Sequence, residues 1–211
     1  MRKIIFALSG ILFLALLTAS CTKQKKEETS TESNTTAVQE GEKTLKKINP
    51  KDLKDNPISL FADNWFIVSS GDSTKFNEMT ISWGNLGHVW DEPAITIYVR
   101  NTRHTYSFIE NGKYFVLNGF EEKYRDKVKF IGTHSGRDID KVKETGLTPK
   151  FTELGNPYFD EANLVIECEK IYYDDIVRPQ LFEKGQKMYS SDSKETHRMY
   201  IGRIVNMWEK K

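Results

Sequence analysis

The sequence lacks the patterns that identify several common classes of protein. It has only two cysteines and four histidines in 211 residues. Two cysteines are too few for a disulfide framework. It has no CxxC, HExxH, GxGxxG or P-loop sequence, so it supports neither a dithiol redox centre, a zinc site nor a Rossmann dinucleotide site. The 31 Lys and Arg nearly balance the 30 Asp and Glu, which argues against nucleic-acid binding by bulk charge.

No apolar run in the sequence is long enough to cross a bilayer as a helix. The segment Ile4–Leu17 has about 14 residues, where about 20 are needed. It follows two basic residues and precedes small residues and Cys21, an arrangement typical of secretory signal peptides. It resembles a bacterial lipoprotein signal, although Thr18 stands where that signal usually has Leu. We therefore expect a signal peptide over residues 1–20.

The same resemblance implies that Cys21 carries the lipid and that the folded part lies in the bacterial cell envelope, anchored to a membrane on the exported side. The alternative is an ordinary signal peptide or an uncleaved anchor in which Cys21 is incidental. Residues 21–56 are rich in Lys, Glu, Thr and Ser and contain no aromatic residue. Such a segment buries too little apolar surface to offset the entropy of ordering. We predict a flexible tether over 21–56 and one folded domain over 57–211.

Residues 57–211 predict mainly β structure with inserted helices. Alternating and β-branched runs predict strands, and capping and stop residues predict helices, with Ser135 as a cap and Gly146 as a stop for the last of them. The strands are expected at 65–68, 79–83, 94–99, 114–117, 164–172 and 200–208, and the helices at 105–110, 124–131 and 138–145. Strands and helices do not alternate strictly, so a nearly closed antiparallel barrel is favoured over a doubly wound parallel sheet.

A basic turn joins the strand at 94–99 to the helix at 105–110. Arg100 and Arg103 provide guanidinium groups there, and Thr102 and Thr105 provide hydroxyls beside a helix N-terminus. Amide groups at a helix start favour anions, and arginine forms charge-assisted, often bidentate bonds to them. The turn therefore suits a phosphate. An ordinary basic surface turn capped by one of the threonines fits the local sequence equally well.

The strand expected at 79–83 has two distinct faces. Met79, Ile81 and Trp83 alternate with Thr80 and Ser82. The hydroxyl face presents polar groups in a row, along which a flat polar ring could lie. The alternative, favoured by the local sequence alone, is a half-exposed strand of the barrel.

A polar loop at 132–141 contains His134, Ser135 and Asp138. Three such residues in one short loop rarely reach the geometry of a catalytic triad, so we reject that hypothesis. The loop either caps a helix or contacts a ligand with a glycine as its hinge.

Two further residues carry less information. His197 begins the last strand, and an isolated histidine is more often structural than a metal ligand. The four histidines show no paired-ligand spacing, which argues against zinc. Cys168 lies in an alternating strand and is interpreted as a small buried hydrophobic residue.

Several segments, taken in order, resemble the flavin reductase-like family, the FMN-binding split β-barrels that include flavoredoxin. The matching segments read FNEMTISWG, YVRNTRHT, THSGRDIDKVKETGL, NPYFDEANLVIECEKIY and HRMYIGRIV. The resemblance runs over about 57–208. It implies a split β-barrel homodimer that holds FMN non-covalently at or near the subunit interface.

The resemblance also implies which residues contact FMN. Four would grip the phosphate, five would lie on the strand along the flavin, four would close on the cofactor as a loop, and one would lie at the edge of the flavin. In that order they are Arg100, Thr102, Arg103 and Thr105; Met79, Thr80, Ile81, Ser82 and Trp83; Ser135, Gly136, Arg137 and Lys141; and His197.

The expected function is that of an FMN-binding redox protein of the oxidoreductase type, in which the cofactor performs the chemistry. The family implies hydride transfer from a nicotinamide donor, but an exported protein has little access to nicotinamides. NAD(P)H and a redox protein therefore remain equal candidates for the electron donor. The alternatives are a non-catalytic flavin-binding or carrier lipoprotein and a barrel that has lost its flavin.

Overall fold

The computed structural model describes residues 43–189 and 194–211. The expected signal peptide, Cys21 and the tether up to residue 42 lie outside the described residues. Within the part that is described, no helix has the length and hydrophobicity needed to cross a membrane.

The elements follow one another with short connections. In chain order they are β1 (Leu45–Lys47), α1 (Pro57–Ser59), β2 (Phe66–Gly71), β3 (Phe76–Ile81), β4 (Gly84–Val89), β5 (Glu92–Arg100), α2 (His104–Asn111), β6 (Tyr114–Gly119), α3 (Arg125–Thr133), α4 (Lys141–Thr145), β7 (Pro149–Phe151), β8 (Pro157–Phe159), β9 (Leu164–Asp175), α5 (Glu183–Gln186) and β10 (His197–Lys210).

One antiparallel sheet contains most of the strands, in the order β3-β2-β6-β9-β10-β5-β4, with β1 added to β10. The strands β7 and β8 form a separate hairpin. The two edge strands, β3 and β4, are joined only by Ser82 and Trp83, so the sheet has to curl until its edges approach each other. The expected mainly β architecture with inserted helices, antiparallel and barrel-like, is confirmed.

The sheet is buried on both faces near β2 and β6. Phe66 and Phe115 point into the barrel core. Ile67 and Val116 point to the other face, where they pack against α3 through Val128. Burial on both faces explains why these strands have nearly continuous apolar sequences instead of an alternating pattern.

The long strand β10 alternates as expected up to an irregularity. Tyr200 and Gly202 are buried, and so is Ile204. The register against β9 then shifts between Ile204 and Asn206, and the next buried residue is Met207. An extra residue in a strand moves the following side chains to the opposite face, so the simple alternation ends there.

Several predicted boundaries differ from the structure, most of them by a few residues, and three differences have an identifiable cause. The helix expected at 138–145 is shorter, because α4 begins after Asp140, whose carboxylate accepts a hydrogen bond from the Lys143 amide at 3.0 Å. Ser135 was expected to be this cap, but its hydroxyl accepts from the Arg137 amide at 3.2 Å. Gly146 ends the helix with φ 61°, as expected.

Two further differences of this kind concern strands. Leu45–Lys47, expected to belong to the tether, pairs with the end of β10, so ordered structure begins before residue 57. The strand expected at 79–83 ends at Ile81, and β4 follows it without having been predicted. The sequence of β4 contains two glycines and an asparagine, so it lacks the β-branched pattern from which a strand is predicted.

We expect Gly202→Ala to destabilise the fold. A Cβ atom there would lie 2.5 Å from Phe115 Cζ and 2.7 Å from Cys168 Cβ, and overpacking of a core typically costs about 1–3 kcal/mol. Gly87→Ala is the matched control, because a Cβ atom in β4 would meet nothing within 4 Å. Urea unfolding of both variants provides the measurement. Equal stability of the two variants would contradict the close packing at Gly202.

Candidate functional site

A cavity of about 200 Å³ lies where β3, the N-terminus of α2, the end of α3 and the following loop meet. Eight of the residues predicted from the sequence line it, and five other residues complete the wall. The eight are Met79, Thr102, Arg103, Thr105, Ser135, Gly136, Arg137 and Lys141, and the five are Asn77, His104, Ile131, Gly132 and His134. Segments far apart in the chain therefore meet in one polar site.

The first turn of α2 is attached to β3 by Asn77. The Asn77 side-chain amide lies 2.6 Å from the Thr105 hydroxyl. With its oxygen turned toward α2, the amide accepts from both the Thr105 hydroxyl and the Thr105 backbone N–H. Because Thr105 is fully buried, this contact fixes the start of the helix relative to the strand. Thr105 therefore lines the cavity with its hydroxyl and backbone N–H already hydrogen-bonded to Asn77.

The loop after α3 approaches β3 equally closely. A Cβ atom at Gly136 would lie 2.0 Å from the side-chain amide of Asn77, so a larger residue would push the loop away from the strand. Arg137 next to it donates from Nη1 to the Thr102 carbonyl at 3.2 Å. The loop and the turn before α2 are thus held together across the cavity.

Two arginines at the cavity lack a carboxylate partner. Arg103 and Arg137 are exposed, and among the residues that the structure describes neither pairs with Asp or Glu. Lys141, by contrast, is buried and pairs with Glu78, with 3.6 Å between Nζ and Oε1. Unpaired guanidinium groups beside a helix N-terminus form an arrangement suited to an anion.

The lowered pKa of His104 reflects the positive charge around the cavity. Burial lowers its pKa most, and the nearby charges of Arg137, Lys75 and Lys141 lower it further. Cations that disfavour a protonated imidazole favour a bound anion in the same space. The electrostatics and the hydrogen-bond donors therefore agree on the type of ligand.

A second group of predicted residues lies outside the cavity wall, at the junction of β5 and β10. Arg100 pairs with Glu195, with 3.2 Å between Nη1 and Oε2. The Trp83 and His197 rings have their centroids 4.8 Å apart, and the Tyr189 hydroxyl lies 2.6 Å from His197 Nδ1. Arg100 is paired with a carboxylate in this structure, and its expected contact with the phosphate remains a prediction.

The environment of His197 keeps it uncharged at neutral pH. Its pKa falls to about 4, first because the ring is buried and then because Arg100 and Arg103 are nearby. An uncharged imidazole donates a hydrogen bond from one ring nitrogen and accepts one at the other. His197 is therefore a polar, neutral group beside the exposed Trp83.

The remaining predicted residues have other contacts. The Thr80 hydroxyl donates to the Val128 carbonyl at 2.5 Å, and Ile81 is buried in the barrel core. Ser82 is exposed in the link between β3 and β4. None of these three side chains lines the cavity, so the ring contacts expected for them remain predictions.

The sequence contained partial information on the residues that were missed. Asn77 and His104 lie inside segments that were already singled out, and both are polar residues next to predicted contacts. Ile131 has the periodicity of a helix core residue, and nothing in the sequence distinguishes it from one. No group of three or more His, Cys, Asp or Glu suited to a metal ion occurs in the described parts of the chain.

Solved structures with the same fold include two that are FMN-binding by their titles and a flavoredoxin. The FMN-binding domain of a flavin reductases-like enzyme from Shewanella baltica has a TM-score of 0.58 at 16% identity over 79% of this chain and 78% of that one. Flavoredoxin of Desulfovibrio vulgaris has a TM-score of 0.52 at 24% identity over 68% and 67%. An FMN-binding protein from Thermus thermophilus has a TM-score of 0.54 at 20% identity over 74% and 78%.

These identities are too low to transfer more than the fold. No curated protein matches the chain. The family model described as the flavin reductase like domain matches residues 58–211, which is almost the whole of the folded part and includes every residue of the cavity. The chain therefore belongs to the flavin reductase-like domain family.

Proposed function

We propose that this protein binds FMN non-covalently and acts as a flavin-dependent redox protein. The observation that carries the proposal is the pair of unpaired arginines, Arg103 and Arg137, at a cavity beside the N-terminus of α2. Family membership and the FMN-binding proteins of the same fold support it. The phosphate of FMN is the anion that this set of donors suits.

The residues present fit the phosphate end of FMN well. Guanidinium groups and helix amides provide charge-assisted donors, and polar side chains from β3, α2 and the loop after α3 form part of the wall of the cavity of about 200 Å³. Arg103 and Arg137 would bind the phosphate, and Thr102 would add a hydroxyl. The ring would lie toward the link between β3 and β4, where Trp83 and the neutral His197 are found.

Bound FMN would supply hydride or electron transfer at its ring. The protein would bind and orient it, and no covalent nucleophile is required. Arg100, Thr80, Ile81 and Ser82 would then contribute through backbone groups or after local rearrangement. Lys141, Ser135 and Gly136 would act from the loop that borders the cavity.

The electron donor could belong to two classes, NAD(P)H or a redox protein. The competing function is that of a flavin-binding carrier without catalysis. Rapid reduction of the bound flavin by NADH or NADPH would identify a nicotinamide-dependent oxidoreductase. Reduction only by a reduced redox protein would identify an electron carrier, and slow reduction by both would favour the non-catalytic alternative.

We expect the purified domain to retain FMN through desalting, with absorption bands near roughly 370 and 450 nm. Arg103→Ala and Arg137→Ala should each weaken FMN binding by about 10- to 100-fold, since a hydrogen bond to a charged group contributes about 1.5–3 kcal/mol. Binding of riboflavin, which has no phosphate, should change little. Fluorescence titration with both ligands measures the difference.

Arg125→Ala is the matched control, because Arg125 contacts the Asp63 and Asn64 carbonyls and Trp65, away from the cavity. A protein that ignores both flavins would contradict the proposal and support a barrel that has lost its flavin. Equal losses for FMN and riboflavin in the two variants would place the phosphate elsewhere.

We also propose that the protein is a homodimer, as the family resemblance implies. The surface offers exposed aromatic residues for such an interface: Trp90 and Tyr172 are 62% and 40% exposed, with ring centroids 5.9 Å apart. Trp90 also has a φ of 50°, an unusual conformation for a bulky residue. A second copy covering this pair would remove apolar surface from water.

Trp90→Asn combined with Tyr172→Ser should convert the dimer to a monomer or weaken it by about 10- to 100-fold, because buried aromatic residues dominate interface energies. Asn tolerates a positive φ, so the turn should keep its shape. Light scattering after size exclusion gives the mass. Phe182→Ser is the control, since Phe182 is 71% exposed. A wild-type monomer at high concentration would refute the proposal.

We finally propose that Cys21 is lipidated and that the protein is anchored in the bacterial cell envelope. The support is the sequence pattern of an apolar run, small residues and a cysteine. In a bacterial host, labelled palmitate should be incorporated into the full chain and should be lost in Cys21→Ser, which should also leave the membrane fraction. Equal labelling of both chains would contradict lipidation at this residue.

A further inference from the structure

The buried ion pair of Glu78 and Lys141 lies directly behind the wall of the cavity. The side chains are 4% and 2% exposed, and Lys141 Nζ also donates to the Glu78 carbonyl. Lys141 lines both the cavity and a neighbouring cleft of about 540 Å³, whereas Glu78 lines only the cleft. One cation is thus shared between an internal carboxylate and the anion site.

The pKa of Lys141 depends on Arg103 as well as on its partner Glu78. Burial lowers its pKa most, Glu78 raises it, and the charge of Arg103 lowers it further. Arg103 and Lys141 are therefore close enough to repel each other. An anion bound between Arg103 and Lys141 would offset this repulsion. Glu78 already offsets part of the charge of Lys141.

We propose that Glu78 is an internal counter-anion that competes with the bound phosphate for Lys141 and thereby weakens phosphate binding. This inference rests on the proposed function, in which the cavity holds the phosphate of FMN. Its consequence is an exchangeable flavin. The neighbours of Glu78 on β3, Asn77 and Met79, line the cavity, and Glu78 between them lies on the opposite face of the strand.

Other carboxylates do not provide the same competition. Burial raises the pKa of Glu78 most, and the nearby Asp140 raises it further, but the Asp140 carboxylate caps α4. Glu195 pairs with Arg100, which does not line the cavity. Among the described residues, Glu78 is therefore the carboxylate paired with a cation of the cavity wall.

The test is Glu78→Gln, which keeps the size of the side chain and removes its charge. We expect FMN to bind about five- to tenfold more tightly, as removal of one charge across a partly buried site allows, with riboflavin affinity unchanged. Without ligand the variant should melt at a lower temperature, because Lys141 loses its partner. Saturating FMN should restore more of the melting temperature than it does in the wild type.

Lys141→Met provides the second arm through a double-mutant cycle. In that background Glu78→Gln should no longer tighten FMN binding. Glu169→Gln is the matched control, because Glu169 pairs with Lys113 and Arg203, which do not line the cavity. It should lower stability and leave the ratio of FMN to riboflavin affinity unchanged.

An unchanged or reduced ratio in Glu78→Gln would overturn the inference and leave the pair a structural ion pair. Should that variant not fold, Glu78→Asp withdraws the charge by one methylene and should tighten FMN binding about two- to threefold, and no change would overturn the inference. Inorganic phosphate serves as a second probe in the same variants. Phosphate tests the competition for Lys141 even if the wild type does not bind flavin. Failure to bind flavin would refute the proposed function and leave this inference to be decided by the phosphate measurement.

Discussion

The fold depends on the pairing of β10 with three other strands. It pairs with β9 along most of its length, with β5 from His197 to Arg203, and with β1 at its end. A strand with neighbours on both sides satisfies its backbone groups without water, and it determines where the shorter strands lie. The close approach of Phe115 to Gly202 shows how little space remains where β10 crosses the core.

The site follows from this arrangement because the strands deliver their loops to one place. The β3 edge provides Asn77 and Met79, and the turn after β5 provides Arg103. The loop after α3 reaches the same point because Gly136 lacks a side chain and can approach Asn77. Short helices then close the cavity without contributing much to the barrel core.

Charge is distributed unevenly around the site. Burial of Glu78 and Lys141 costs desolvation free energy, which their pairing offsets only in part. The exposed Arg103 and Arg137 retain hydration until an anion arrives. The cavity thus has a positive potential, to which the exposed Arg103 and Arg137 and the buried Lys141 contribute. In our proposal Glu78 reduces this potential by pairing with Lys141.

The sequence predicted the strongest elements and missed those without a pattern. The run from Ala94 to Val99 and the alternation around Tyr200 identified β5 and β10, since both alternate or carry β-branched residues. The strand β4 was missed because it has glycines at two of its six positions. The cap of α4 was predicted at Ser135 but is Asp140. A one-dimensional pattern cannot choose between two polar residues that could both cap a helix.

The sequence by itself determined the balance of charge, the β-rich domain and the cations that cluster around an anion site. The order of its segments was enough to suggest the family that the domain match then established. Only the tertiary structure decided which cations are available. Arg100 and Lys141 are matched by Glu195 and Glu78, partners 95 and 63 residues away. Ion pairing depends on distance in space, and that distance is set by the curl of the sheet.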